Sequence, residues 1–259
     1  MDYDIIRCKD AYSHMEAQSE ITHGLWERYM SQGPVLNECW YPLFKLFPEF
    51  QFFLESDKQI VGLGNCLPLL WDRPLADLPE EGWDWALEKG IRDRQQGKEP
   101  NVLNGVQVLV TGDNQGRGIS YLVIEEMKKL ALQHGLEHII IAVRPTWKSR
   151  YPLTPIAQYI TWTREDGLPF DPWLRAHARG GARLIKPCHK AMYIPGSISQ
   201  WEEWTKMRFF ESGEYIIPGA LTPVTMDLER DLGVYYEPNV WVVYNQQGLP
   251  FELLAASIG

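Results

Sequence analysis

Cysteine, long apolar runs and positive charge are all scarce in this chain of 259 residues. Its four cysteines, Cys8, Cys39, Cys66 and Cys188, lie far apart with no Cys-x-x-Cys pair, which argues against a disulfide framework and a thiolate metal site. The longest purely apolar stretches resemble Ile139 to Val143, far below the ~20 residues that a membrane span needs. No charged segment followed by an apolar one opens the sequence, so no secretory signal is expected and a reduced, cytoplasmic protein is. Repeats, low-complexity tracts and Gly/Ser linkers are missing too, which favours one domain over residues 1–259. Lys and Arg number 25 against 34 Asp and Glu, net −9, a balance that argues against a general nucleic-acid binder.

What is present is apolar and aromatic material for a sizeable core, 45% and 12% of the residues. The charge is also uneven. Residues 143–194 carry nine basic and three acidic side chains, a basic window in an acidic chain. A first strand is expected at Asp4 to Lys9, and one or two amphipathic helices between Tyr12 and Met30. Phe50 to Glu55 and Gln59 to Leu70 read as a hairpin around Ser56-Asp57-Lys58. Residues 70–101, rich in Pro, Trp and charge, are expected to form an inserted lid with a helix around Trp83 to Arg94. A strand at Val102 to Thr111, a helix at Ile119 to His134 stopped by Gly135, and a buried-type strand at Glu137 to Val143 follow. A helix at Ile156 to Arg164 and strands near Ala182 to Ile194 complete the core, and residues 195–259 read as a C-terminal extension. Strands alternating with helices in this order give an α/β (α+β) class.

The unit strand, Gln115-Gly116-Arg117-Gly118-Ile119-Ser120, helix carries the chemistry. Small residues admit a ligand close to the backbone, and a helix start offers unpaired N–H groups at the positive end of its dipole. A phosphate or diphosphate suits such a place. The loop lacks the Gly-Lys-Ser/Thr of a Walker loop and the GxGxxG spacing of a dinucleotide fold.

Gln115-x-x-Gly118-x-Ser120 resembles the Q/R-x-x-G-x-G/A signature of the GNAT acetyltransferase superfamily, with Ser120 replacing the usual Gly or Ala. The resemblance implies a mixed, mostly antiparallel central sheet flanked by helices. It also implies that Gln115, Gly116, Arg117, Gly118, Ile119 and Ser120 hold acetyl-CoA or malonyl-CoA as substrate. The Asn-x-x-A-x-x-x-Y helix that carries a general-acid Tyr in ordinary members is not reproduced, and Tyr159 is the nearest helical tyrosine. Instead the chain has Arg144-Pro145-Thr146-Trp147, Tyr151-Pro152-Leu153, Asp166-Gly167-x-Pro169-Phe170-Asp171-Pro172-Trp173, Arg175-Ala176-His177 and Gly181-Ala182. From about Trp40 to Tyr215 this series resembles the GNAT-like loading domains of modular polyketide synthases and their free-standing relatives.

That second resemblance implies a pocket of Trp, Thr, His and Arg in which malonyl-CoA loses CO₂ and the acyl group passes to a carrier-protein thiol. Thr146 and His177 match the Thr and His, Trp40 is the candidate Trp, and Arg183 or Arg175 the candidate Arg. Thr146 would stabilise charge growing on the thioester oxygen, His177 would protonate the carbon, and Trp40 would weaken carboxylate solvation. Two enzymatic readings therefore stand side by side: acetyl transfer from acetyl-CoA, and decarboxylation of malonyl-CoA or methylmalonyl-CoA with loading onto an acyl carrier protein. A CoA-binding scaffold is the non-enzymatic alternative. Lys148, Arg150, Arg164, Arg175 and Arg179 would supply a basic docking face for an acidic carrier protein. The histidines show no metal-ligand spacing, so no metal is expected, and Cys188 reads as a buried strand cysteine. Neither membrane nor nucleic acid is an expected partner.

Overall fold

The computed structural model describes residues 3–245. The chain opens with β1 (Asp4–Arg7) and α1 (Ala11–Thr22), which Asp10 caps by accepting from the Ser13 N–H at 2.9 Å. Polar Tyr12 to Met30 does not stay helical. It breaks at Gly24, whose φ is +74°, and α2 (Pro34–Leu46) starts only where Pro34 takes the first helical turn. The expected hairpin is β2 (Gln51–Ser56) and β3 (Gln59–Leu69), joined through Asp57 and Lys58 at φ 51° and 62°, a turn whose twist matches its strands. α3 (Gly82–Gln95), β4 (Val102–Val110), α4 (Ile119–Gln133) and β5 (His138–Val143) follow. The second half holds α5 (Ile156–Tyr159), α6 (Pro172–Arg179), β6 (Arg183–Gly196), α7 (Ile198–Thr205), β7 (Gly213–Tyr215), β8 (Val224–Asp227) and β9 (Leu232–Asn245).

Among the described residues the strands form one sheet in the order β1-β2-β3-β4-β5-β9-β8-β7, with β6 also on β9. Every pairing is antiparallel except β4 with β5. β5 is buried at all six positions, as a strand covered on both faces must be. On one face, Gly62 and Gly64 of β3 leave a groove for α4. A Cβ on Gly62 would stand 2.9 Å from Ile119, and one on Gly64 2.4 Å from the Phe52 ring and 3.0 Å from Val123. The other face carries α1 and α3.

Residues 70–101 are not a detachable cover. Ala86 and Leu87 of α3 are fully buried in the main core beside Leu67 and Trp241, each large apolar side chain contributing about 1.5–3 kcal/mol on burial. Apolar burial along one face turns this Trp- and charge-rich segment into a wall. The stretch beyond 195 is no appendage either. β9 lies between β5 and β6, and its Val240, Trp241, Val242 and Val243 are inaccessible to solvent. Residues 246–259 of the expected extension lie outside the described residues. The helix expected at Ile156 to Arg164 stops at Tyr159, because the chain then turns back so that Thr163 bridges to Pro169.

Gly64→Ala is expected to destabilise the protein by about 1–3 kcal/mol, because Phe52 and Val123 cannot both move aside. Chemical denaturation reads this as a lower midpoint at unchanged slope.

Candidate active site

The sheet parts in the middle. β4 pairs with β5 only from Val102↔His138 to Gly105↔Ile141. Beyond that point β4 runs on to Val110 against β3 alone, while β5 finishes against β9. The parting coincides with a bulge. Asn65 opposes Gln107 and Cys66 opposes Gly105, so Val106 is the extra residue on β4, and a bulge sharpens local twist and ends pairing. The Trp83 indole N–H, from α3, donates to the Val106 carbonyl at 2.9 Å. The β5-facing edge of β4 past Gly105 thus leaves the β4–β5 ladder inside the sheet, where an extended ligand can take the place of a strand.

β4 feeds directly into the glycine loop. Gly116 and Gly118 stand at φ +78° and +79°, and a Cβ on either would meet nothing within 4 Å. Their backbone angle, not crowding, calls for glycine. Gly118 is the N-cap of α4 and no side chain caps this helix, the Tyr121 N–H bonding back to the Gly118 carbonyl at 3.1 Å. Gln115 and Arg117 are exposed, Ser120 is half-buried, and Ile119 anchors the helix start in the Gly62 groove. Loop and parted strands lie end to end.

The other predicted residues are more dispersed. Trp40 on α2 is half-buried, its ring 5.4 Å from that of Phe44. Thr146 is exposed in the turn after β5. His177 on α6 is wholly buried: its Nδ1 is 2.8 Å from the Tyr244 hydroxyl, its Nε2 has no partner, and Trp173 stacks edge-on. Burial pushes its pKa down to about 3, so at neutral pH the ring is an uncharged imidazole. Asp171, the N-cap of α6, accepts from the Trp147 N–H at 2.8 Å. His177 sits six residues further along, about 9 Å of helix rise. Thr146, next to Trp147, thus lies by the N-terminal end of α6, and His177 lies within its second turn. Arg175 donates to the Pro169 and Phe170 carbonyls at 2.9 and 2.8 Å, and Arg183 begins β6 on the surface, paired in register with Val243.

The segments that resemble loading domains act here as a clasp. Asp171 takes four donors, from the N–H groups of Trp147, Trp173 and Leu174 and from the Tyr159 hydroxyl. Burial and the Asp171 charge raise the Tyr159 pKa, which leaves that phenol a packed donor. Arg144 binds the buried Glu237 carboxylate at 2.7 Å and the Gly219 carbonyl at 2.6 Å. Lys148, fully buried, donates to the Tyr151 and Leu221 carbonyls, and desolvation lowers its pKa to about 8. It cannot belong to a docking face. Arg164 and Arg179 both approach Asp166, and Lys186 approaches Glu80, so much of the basic window is neutralised internally. Cys188 is buried, and burial raises its thiol pKa.

Sequence reading missed a chain of buried amides behind the bulge. Gln51 of β2, Asn65 of β3 and Gln18 of α1 are nearly or fully inaccessible and hydrogen-bonded in series, ending on Gln107 of β4. The signal was there: the amides Gln51, Asn65 and Gln107 sit among apolar neighbours in their strands, and a buried amide needs a partner. Among the described residues there is no group of three metal-ligating side chains, and no helix is long and apolar enough to cross a membrane.

A mixed sheet that parts beside a glycine-loop helix start is a fold shared with known proteins. No family model matches the chain. It is 30% identical over 263 residues to the arginine N-acetyltransferase avaD of Aspergillus versicolor, covering 91% of this chain and 90% of that protein. Its fold is similar to the loading GNATL domain of CurA from Lyngbya majuscula, with TM-score 0.64, 19% identity, and coverage of 96% of this chain and all of that domain. The GphF GNAT-like decarboxylase in complex with isobutyryl-CoA matches with TM-score 0.57 and 15% identity over 95% of this chain. The chain belongs to the GNAT superfamily and is an enzyme of the acyltransferase class.

Three buried histidines, His14, His138 and His177, have pKa values lowered by desolvation and so favour the folded state less as pH falls. His14 stacks on Phe53 at 4.0 Å and is held to a pKa of about 4 by desolvation, as His177 is to about 3. The unfolded chain protonates its histidines near pH 6.5, before any of the folded sites does. Their contribution is therefore full above about pH 6.5 and declines as pH falls, by up to about 2 kcal/mol each for His14 and His177 at pH 5. Buried Asp84, whose carboxyl pKa burial raises to about 7, gains stability over the same range and opposes this loss. The check is therefore differential: between pH 7 and pH 5, His14→Phe should lose about 2 kcal/mol less than the wild type in urea unfolding.

Proposed function

We propose that the protein transfers the acetyl group of acetyl-CoA to a nitrogen of an arginine-like acceptor. The observation that carries the reading is the parted β4–β5 edge at Val106 running into the uncapped start of α4. The α4 N–H groups and the Gly116–Gly118 backbone would take the diphosphate of CoA. The arm of CoA would then lie in the slot, with its thioester beside the bulge. Main-chain N–H groups of β4 released there would donate to the thioester oxygen as negative charge develops. The acceptor nitrogen, its first proton released to solvent water, attacks the carbonyl carbon; the C–S bond breaks, and the CoA thiolate takes the remaining proton from that nitrogen and leaves as free thiol. An arginine-like acceptor is favoured by the likeness to an arginine N-acetyltransferase along 91% of the chain.

Decarboxylation of malonyl-CoA is supported less well. Its proton donor would be His177, whose imidazole is sealed from solvent and neutral down to about pH 3.

Incubation with acetyl-CoA and L-arginine should give N-acetylarginine and free CoA thiol, followed by mass spectrometry and a thiol reagent. Malonyl-CoA without acceptor should stay intact. Release of CO₂ from malonyl-CoA together with no acetylated arginine would overturn the proposal in favour of the decarboxylase. Gly118→Ala should raise the KM for acetyl-CoA about tenfold, since a side chain at positive φ costs about 1–2 kcal/mol and turns the first helical N–H groups away.

A further inference from the structure

The amide chain behind the bulge has a direction, and that direction ends in the slot. At its buried end the Gln51 Nε2 donates to two main-chain carbonyls, of Phe47 at 2.8 Å and Cys66 at 2.7 Å. Carbonyls only accept, so the Gln51 amide can face one way. Its Oε1 must then accept, and it does so from the Asn65 Nδ2 at 3.1 Å. That leaves the Asn65 Oδ1 as an acceptor for the Gln18 Nε2 at 3.0 Å, while the Gln18 Oε1 accepts from Asn65 in return. The second hydrogen of the Gln18 Nε2 goes to the Gln107 Oε1 at 2.8 Å. Reversing any one amide would set donor against donor or acceptor against acceptor. The last member is thereby forced to present its –NH₂ outward.

Gln107 is the first residue past the bulge and two past Gly105, the last residue of β4 paired with β5. It is half-buried, and its Nε2 makes no hydrogen bond to any described residue. Asn65 opposes it in register, so both side chains stand on the α1 face, away from the α4 face that Gly62 and Gly64 line. The α4 start is the diphosphate cradle; a group held on the opposite face meets what enters from the other side of the slot.

We propose that Gln107 is a substrate-binding residue whose Nε2 donates to a carboxylate or carbonyl oxygen of the acyl acceptor, with Gln18, Asn65 and Gln51 as positioning residues that fix its polarity. This deepens the acetyl-transfer reading and rests on it. Gln107→Glu is nearly isosteric. It keeps the acceptor that Gln18 needs, removes both donors and places a carboxylate against the ligand's own oxygen.

The test compares L-arginine with agmatine, the same molecule without its carboxylate, for the full-length protein and for Gln107→Glu at matched thermal midpoints. The variant should lower kcat/KM for L-arginine about tenfold or more, as expected for a lost hydrogen bond to a charged group. The loss should appear in the KM for L-arginine, with the KM for acetyl-CoA unchanged and agmatine altered less than about twofold. Gln18→Leu should shift the arginine-to-agmatine ratio in the same direction but by less, since Gln107 remains yet is free to turn. Equal effects on both acceptors, or none, overturn the assignment while leaving acetyl transfer standing. A wild-type protein that acetylates neither acceptor sinks the transfer reading instead. The assignment is then judged by the Gln107 side-chain amide signal in a ¹⁵N spectrum, identified by its absence in Gln107→Glu. It must move when L-arginine is added to the CoA-bound protein, and a stationary signal overturns the assignment.

Discussion

The separation of β4 from β5 at Val106 is the constraint on which the rest of the molecule depends. Two parallel strands that share only four residue pairs and then diverge expose main-chain donors and acceptors within the sheet, where unpaired groups are costly. The fold tolerates this because each strand is secured on its far side. β4 is held by β3 along its whole length, and β5 by the buried half of β9. The indole of Trp83 satisfies the Val106 carbonyl, and α4 starts just beyond the slot without a capping side chain. Polar backbone is left open at the parting and at the start of α4.

Around this slot the buried charges and amides serve orientation more than attraction. Asp171 with its four donors, Arg144 with Glu237, and Lys148 with two carbonyls lock the turn after β5 against α6 and the 217–221 loop. Removing one partner from such a set leaves an unsatisfied buried group, which is more damaging than the net strength of the contact implies. The motifs that resemble loading domains thus double as scaffolding. On the other wall, four amides with a forced polarity convert two fixed main-chain carbonyls into a defined donor at the slot. Both devices turn buried hydrogen bonding into geometry at a surface.

The sequence by itself determined the local units whose signals are short-range. The β2–β3 hairpin follows from its turn and apolar runs, and β4, the glycine loop, α4 and β5 follow from periodicity and from glycines that positive φ demands at 116 and 118. These pointed to the GNAT superfamily, to which the chain belongs. Only the tertiary structure decided what each unit is packed against. α3 became a wall because Ala86 and Leu87 found the β-sheet, and β9 became a central strand because the edges of β5 and β6 were both vacant for it. Such pairings bring together residues about a hundred positions apart, and no local pattern encodes them. The same holds for function within the site. A histidine in a motif is the same letter whether exposed or sealed, and the burial that keeps His177 neutral, like the polarity that turns Gln107 outward, is set by neighbours distant in the chain.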